Sequence, residues 1–240
     1  GTLEIGGAGT LGSGGSYAGN ISNSGTFSVN SSAAQTLSGV ISGSGALLKD
    51  NSGALTLSGA NTYTGATTIE GGTLILGAGG TTGSLSTSSS ITNNGTLVFD
   101  RSNAITQGAD FASGISGTGA LTKNGSGTLT LSGTNTYSGG TTLNAGTLVI
   151  GNVAAAGTGT ITQSSGSSLL RFETTGTVTN GLHVYNVGTT QTITIGGAIT
   201  AYNTTYDVAD GTTMTLTGAI SGSGGITKDG NGTLAVNGAN

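Results

Sequence analysis

Nine carboxylates, one imidazole and five cations, with six tyrosines, are the ionisable chemistry of a 240-residue chain. Cleaving a polysaccharide or holding a cation requires acids gathered in one place, one to give a proton and another to act as base or nucleophile, or several to share an ion. Glu4, Asp50, Glu70, Asp100, Asp110, Glu173, Asp207, Asp210 and Asp229 are instead spread along the chain, and only Asp207 and Asp210 are close in sequence. Asp110 can meet Asp100 or Glu173 only through the fold. The simpler reading makes each acid a turn residue that caps nearby backbone.

His183 is the sole histidine, so no His-based metal site or Ser-His-Asp constellation can be assembled with any redundancy, and without cysteine there is no thiolate site. In Leu182-His183-Val184-Tyr185 the imidazole is expected to point outward between inward apolar neighbours. The Gly-Gly-x-Gly-x-Asp nonapeptide of calcium-binding β-rolls is absent. Gly12-Ser13-Gly14-Gly15 lacks the following Gly-Lys-Ser/Thr of a phosphate loop and reads as a turn. No catalytic, cofactor-binding or metal-ligating residue is assigned, and no cofactor is expected.

Recurring residues carry more information than isolated ones. Lys49, Lys123 and Lys228 each precede Asp or Asn and a Gly turn, and are expected to be solvated turn charges. Asn61, Asn135 and Asn240 recur as well, and a buried Asn at a corner can bond backbone above and below it. Tyr63 and Tyr137 hold equivalent positions, which favours packing over stacking on sugars. Thr2, Thr26, Thr73, Thr96, Thr128, Thr147, Thr192, Thr213 and Thr233 precede inward apolar pairs, with a second outward Thr at 56, 130, 194 and 215. That second column is interrupted by Glu4, Ser28, Ile75, Val98, Val149, Arg171 and Ala235, which weakens an ice-binding array.

The elements that position these residues follow from composition. Gly 49, Thr 45, Ser 29 and Asn 18, with no proline and a net charge of −4, suit short strands and tight turns rather than helices. The balance is acidic, and the five scattered cations Lys49, Arg101, Lys123, Arg171 and Lys228 form no phosphate-tracking stripe, so nucleic acid is excluded as a partner. No apolar run is long enough to span a membrane as a helix, and no membrane insertion of this segment is expected.

Apolar-x-apolar pairs recur as Leu3/Ile5, Phe27/Val29, Leu55/Leu57, Leu74/Leu76, Leu97/Phe99, Leu129/Leu131, Leu148/Ile150, Leu170/Phe172, Ile193/Ile195, Met214/Leu216 and Leu234/Val236, the alternation of a strand with one buried face. Two wider gaps are filled by further strands at Gln35-Thr36-Leu37 and Ala109-Asp110-Phe111. Tyr185-Asn186-Val187 and Tyr206-Asp207-Val208, like Ile193/Ile195 and Met214/Leu216, are offset by 21. A coil of roughly 19 to 24 residues is therefore predicted, in an all-β, right-handed parallel β-helix of about 10–12 coils. A β-sandwich of hairpins is the alternative fold, but it needs no such constant offset.

Three long copies run over 41–61, 115–135 and 220–240. Leu121-Thr122-Lys123-Asn124-Gly125-Ser126-Gly127-Thr128-Leu129-Thr130-Leu131-Ser132-Gly133-Thr134-Asn135-Thr136-Tyr137-Ser138-Gly139, continuing into Asn144-Ala145-Gly146-Thr147-Leu148, resembles the autotransporter-associated β-strand repeat. The resemblance covers 41–76, 115–150 and 220–240. It implies a secreted β-helical passenger or stalk at the bacterial cell surface. On this reading residues 1–240 are one continuous solenoid cut from a longer repetitive protein. Its expected role is a non-enzymatic structural stalk or adhesive fibre, with polysaccharide binding or cleavage and ice binding as alternatives. Expected partners are further copies, end to end or side by side, and a host-cell or matrix surface or polysaccharide.

Overall fold

Short β-forming segments separated by Gly and Asn must pair their backbone groups with other strands, and here each strand pairs with another pass of the same chain. The structure, a computed structural model, describes all residues except 113, 165–167, 175, 190–192, 197–198, 209, 212 and 239–240. Every described regular element is a strand, every pairing between strands is parallel, and the result is a β-solenoid of about ten turns.

Three ladders define its sides. The first stacks Thr2–Gly7, Thr26–Ser31, Ala46–Asp50, Thr67–Ile69, Ile91–Asn93 and Ile115–Ser116. The second begins at Ser16–Tyr17 and climbs through Gln35–Leu37, Ala54–Leu57, Thr73–Leu76, Thr96–Phe99, Ala120–Lys123, Thr141–Leu143 and Ile161–Gln163. The third takes Ile105–Thr106, Thr128–Leu131, Thr147–Ile150 and Leu169–Phe172. The second and third sides then run together in the long strands Leu182–Thr189 and Ile199–Val208. A four-stranded sheet of Gly176–Val178, Ile193–Ile195, Thr213–Leu216 and Thr233–Val236 closes the upper coils.

Alternation sets what is inside. In Thr128–Leu131 the Leu129 and Leu131 side chains are fully buried while Thr128 and Thr130 are partly exposed, and Ala54–Leu57, Thr73–Leu76 and Leu169–Phe172 repeat the pattern. The inward residues form one core, running from Ile5 to Leu216. Leu3/Ile5 and Phe27/Val29 belong to the first side, Leu55/Leu57, Leu74/Leu76 and Leu97/Phe99 to the second, and Leu129/Leu131, Leu148/Ile150 and Leu170/Phe172 to the third.

The register bears out the expected coil in most places and corrects it in two. Leu47 pairs with Thr67 and Ile193 with Met214, within the expected range, and Thr96 with Ala120 at its upper end. Near the top the coil shortens, so Leu182 pairs with Ile199 and Gly176 with Ile193. Tyr206 therefore stands over Val187, not over Tyr185 as the constant offset of 21 required. A register shift between Val184 and Asn186 gives the upper strand two extra residues, and the offset differs on either side of it. The second correction is Ala109-Asp110-Phe111, which forms a turn. The strands in that gap are Ile105–Thr106, Ile115–Ser116 and Ala120–Lys123, and Asp110 closes the turn by accepting the Thr106 N–H at 2.7 Å. The Phe111 ring packs on Phe99 with centroids 4.9 Å apart.

One consequence of the path is not apparent from the repeat alone. The strand bearing Lys49 lies on the first side, that bearing Lys123 on the second, and Lys228 pairs over Tyr206 on the third. The three copies are thus turned relative to one another around the axis.

Candidate functional site

The polar residues fall into an interior set, which joins coils, and an outward set, which faces solvent. Two of the three recurring lysines overturn their expected place. Lys49 and Lys123 are buried, on the inward faces of strands, because in Leu47-Leu48-Lys49 and Leu121-Thr122-Lys123 they share the phase of the inward leucine. Lys49 is stacked between Val29 and Ile69, and Lys123 between Phe99 and Leu143. Each ammonium is accommodated by backbone oxygens at the strand end. Lys49 Nζ donates to Asp50 O, to Asn51 O at 2.8 Å and, one coil further on, to Gly71 O at 3.3 Å. Lys123 Nζ donates to Gly125 O and to Ala145 O of the next coil at 3.3 Å.

Burial pulls the Lys123 ammonium down to about 8, opposed by Asp100, and lowers Lys49 against the opposing charge of Asp50. Gly72 and Gly146 border these cages at φ 65° and 69°, where a Cβ would overlap Asn51 O and Gly127 O. Lys228 keeps the local half of the arrangement, donating to Gly230 O at 2.7 Å, and is exposed.

The recurrent asparagines do what was expected of them. Asn61 Oδ1 accepts the Ile41 N–H at 2.9 Å and its Nδ2 donates to Ser84 O at 2.9 Å, joining three successive coils. Asn135 Oδ1 accepts from Ile115 N at 2.8 Å and Gln107 Nε2 at 2.8 Å, and its Nδ2 donates to Ala155 O at 2.5 Å. Asn240 lies outside the described residues. Asn23, Asn93 and Asn180 form a further bridging set that no repeat announces, donating to Ala46 O, Ala120 O and Gly157 O respectively. Tyr63 and Tyr137 are packed inside, each hydroxyl bonded to a buried threonine, Thr67 at 2.7 Å and Thr141 at 2.6 Å. Desolvation holds both phenols well above their ordinary range and raises Tyr206 to about 12.

The carboxylates serve turns and surface contacts. Asp50 Oδ1 accepts from Asn51 N at 2.6 Å and Asp229 Oδ1 from Gly230 N at 2.8 Å. Glu70 accepts from Asn94 at 3.0 Å, and Glu173 pairs with Arg171 at 3.2 Å on the surface. Asp110 lies in the field of Arg101, whose NH2 donates to Thr81 O at 2.6 Å. Glu4 and Asp210 are exposed, and Asp207 stands in register between Gly188 and Asp229. No group of three acids or histidines that could hold a metal gathers among the described residues. Gly12, Gly14 and Gly15 make a turn with positive φ, as expected.

The outward set resolves differently from the sequence column. Thr2 pairs with Thr26, Thr73 with Thr96, Thr128 with Thr147 and Thr213 with Thr233, but these pairs lie on different sheets, and Thr192 is outside the described residues. On the second side a continuous register runs Ser16, Thr36, Thr56, Ile75, Val98, Thr122, Thr142, Thr162 and His183, then on to Thr200 and Ser221. His183 is half-buried within it, in register between Thr162 and Thr200. The third side by contrast carries Thr106, Thr130, Val149, Arg171, Gly188, Asp207 and Asp229 in register.

Residues 47–76 and 121–150 each match the passenger-associated-transport repeat. No curated protein and no solved structure matches the chain significantly.

Proposed function

We propose, from two passenger-associated-transport repeats built into a β-solenoid, that the chain is a structural segment of a bacterial surface passenger, a non-enzymatic stalk or adhesive fibre exposed outside the cell. The observation that carries the reading is where the chemistry goes. Lys49, Lys123, Asn61 and Asn135 are spent inside, on holding one coil to the next, and Tyr63 and Tyr137 on packing the core, while carboxylates cap turns or pair at the surface. Such a rod gains its function from length, resistance to proteolysis and a repetitive surface. Self-association, end to end or side by side, and contact with a host-cell, matrix or polysaccharide surface belong to the same reading.

Polysaccharide cleavage has less support, since it requires paired carboxylates at a set distance, and ice binding has less because Ile75, Val98 and His183 interrupt the hydroxyl column. The test has two arms. Incubated with neutral and acidic polysaccharides, the chain is expected to release no new reducing ends, and in intact cells making the parent protein this segment is expected to be reached by antibody. Sustained release of reducing ends, or antibody access only after the cells are broken, overturns the proposal.

A further inference from the structure

The outward column on the second side has a regularity that repeat copying does not explain. The repeat equivalent of Thr122 is Leu48, which lies on the first side, and the equivalent of Thr56 is Thr130, on the third. Residues from different repeat positions thus meet in one line, and each is Ser, Thr, Ile, Val or His; nine of these side chains are partly or fully exposed, Val98 is buried, and Thr200 joins the line by backbone register. The line contains no carboxylate, lysine or arginine, in contrast to Arg171, Asp207 and Asp229 on the third side. Asn124 and Asn144 flank it, bonded to each other across coils at 2.8 Å.

Three properties select the partner. The first is desolvation: a neutral line of hydroxyl and methyl groups can be covered without stripping water from a charge, whereas a charged partner finds no counter-charge along it. The second is size. Eleven register positions at about 4.8 Å extend for roughly 48 Å, and a strip about 15 Å wide would bury roughly 700 Å² per partner, which is the scale of a stable interface. The third is spacing. Side chains repeating at about 4.8 Å stay in step over that length only with a partner of the same rise, which a second β-solenoid has. A glycan of different repeat drifts out of step within a few coils.

We propose that this face is a lateral docking surface for a second copy of the same chain, the two solenoids lying side by side with their hydroxyl/methyl columns interdigitated. The proposal rests on the stalk reading and specifies how stalks would bundle. Pairing of like with like makes the contact isologous, so one substitution acts twice in each dimer.

The test uses the 240-residue chain in sedimentation equilibrium. The unaltered chain is expected to dimerise reversibly. Thr122→Glu places two carboxylates near the middle of the interface and is expected to weaken the dimer at least 100-fold. Thr130→Glu, outward on the third side, is expected to change it less than threefold. Circular dichroism and thermal midpoints verify that both variants are folded.

Since the chain has no cysteine, a second readout is available. Thr122→Cys is expected to oxidise to a disulfide-linked dimer well before Thr130→Cys. A chain that stays monomeric at millimolar concentration, or one equally weakened by Glu at 122 and 130, overturns the docking face. If the monomer remains folded and resistant to protease, the stalk reading survives that failure. Retention by a neutral glycan with no self-association would also overturn the proposal and would favour the polysaccharide alternative.

Discussion

Removing the Asn135 carboxamide should cost far more than removing an asparagine from the surface. In Asn135→Ala the Ile115 N–H loses its acceptor at 2.8 Å, Ala155 O loses its donor at 2.5 Å, and Gln107 loses two contacts to that same amide. Gln107 Oε1 keeps the Gly133 N–H at 3.0 Å, so it is not wholly stranded. Each buried group left without a partner costs about 1–3 kcal/mol, and the two backbone groups alone give a loss of about 2–6 kcal/mol. The control is Asn144→Ala, whose exposed amide bonds only Asn124 and should matter by less than about 0.5 kcal/mol. Urea unfolding followed by circular dichroism reads the difference as a midpoint displaced by about 1 M or more for Asn135→Ala. Asn135→Asp sharpens the test, because a carboxylate still accepts from Ile115 but repels Ala155 O. That variant should be the least stable at neutral pH and should recover as acid protonates the buried group. Equal midpoints for the 135 and 144 alanine variants would refute the idea that corner asparagines join the coils.

The core register predicts that Leu129→Asp costs about 3 kcal/mol or more and Thr130→Asp under about 1 kcal/mol, to be measured as thermal midpoints at pH 7. Stability should peak in alkali. Lys123 carries its burial cost in full below pH 8 and sheds it as the pH climbs toward 10.5, while Tyr63 and Tyr137 stay protonated in the fold and begin to cost stability once unfolded tyrosine ionises above about 10. A midpoint scan from pH 7 to 11 should rise and then fall, with the rise reduced in Lys123→Met, since Lys49 is lowered as well, and the fall softened in Tyr137→Phe. Amine acylation followed by peptide mapping should modify exposed Lys228 at least tenfold faster than buried Lys49 and Lys123.

Period-two alternation made the solenoid legible, because a residue such as Leu129 gains burial free energy only in one phase and Thr130 then has no choice of side. The same alternation already put Lys123 in phase with Leu121, and the expectation of a solvated charge overrode it. What sequence reasoning lacked was the carbonyl cage, built from Gly125 and from Ala145 one coil away, which only the closed coil brings together. The bridging role of Asn61 and Asn135 was visible through recurrence, whereas Asn23, Asn93 and Asn180 each tie to one neighbouring coil without a repeated context. The register over Val184 and Asn186 was hidden because two extra residues in one strand leave its composition unchanged. The continuous outward line from Ser16 to Ser221 was hidden for a related reason. Columns follow the path of the coil, and coils of unequal length scatter their members irregularly in sequence.

Because Lys49 and Lys123 tie coils on different sides, and Asn61 and Asn135 tie them at further corners, the inter-coil ties of this rod are distributed in azimuth as well as in height. A lateral load from any direction then compresses one tied side while it stretches another, so the rod has no soft hinge direction in which successive ties fail together. A stretch built with all its lysines on one side would bend easily away from that side. Winding the repeat around the axis thus keeps the ties of a thin, nearly uncharged solenoid from gathering on one side.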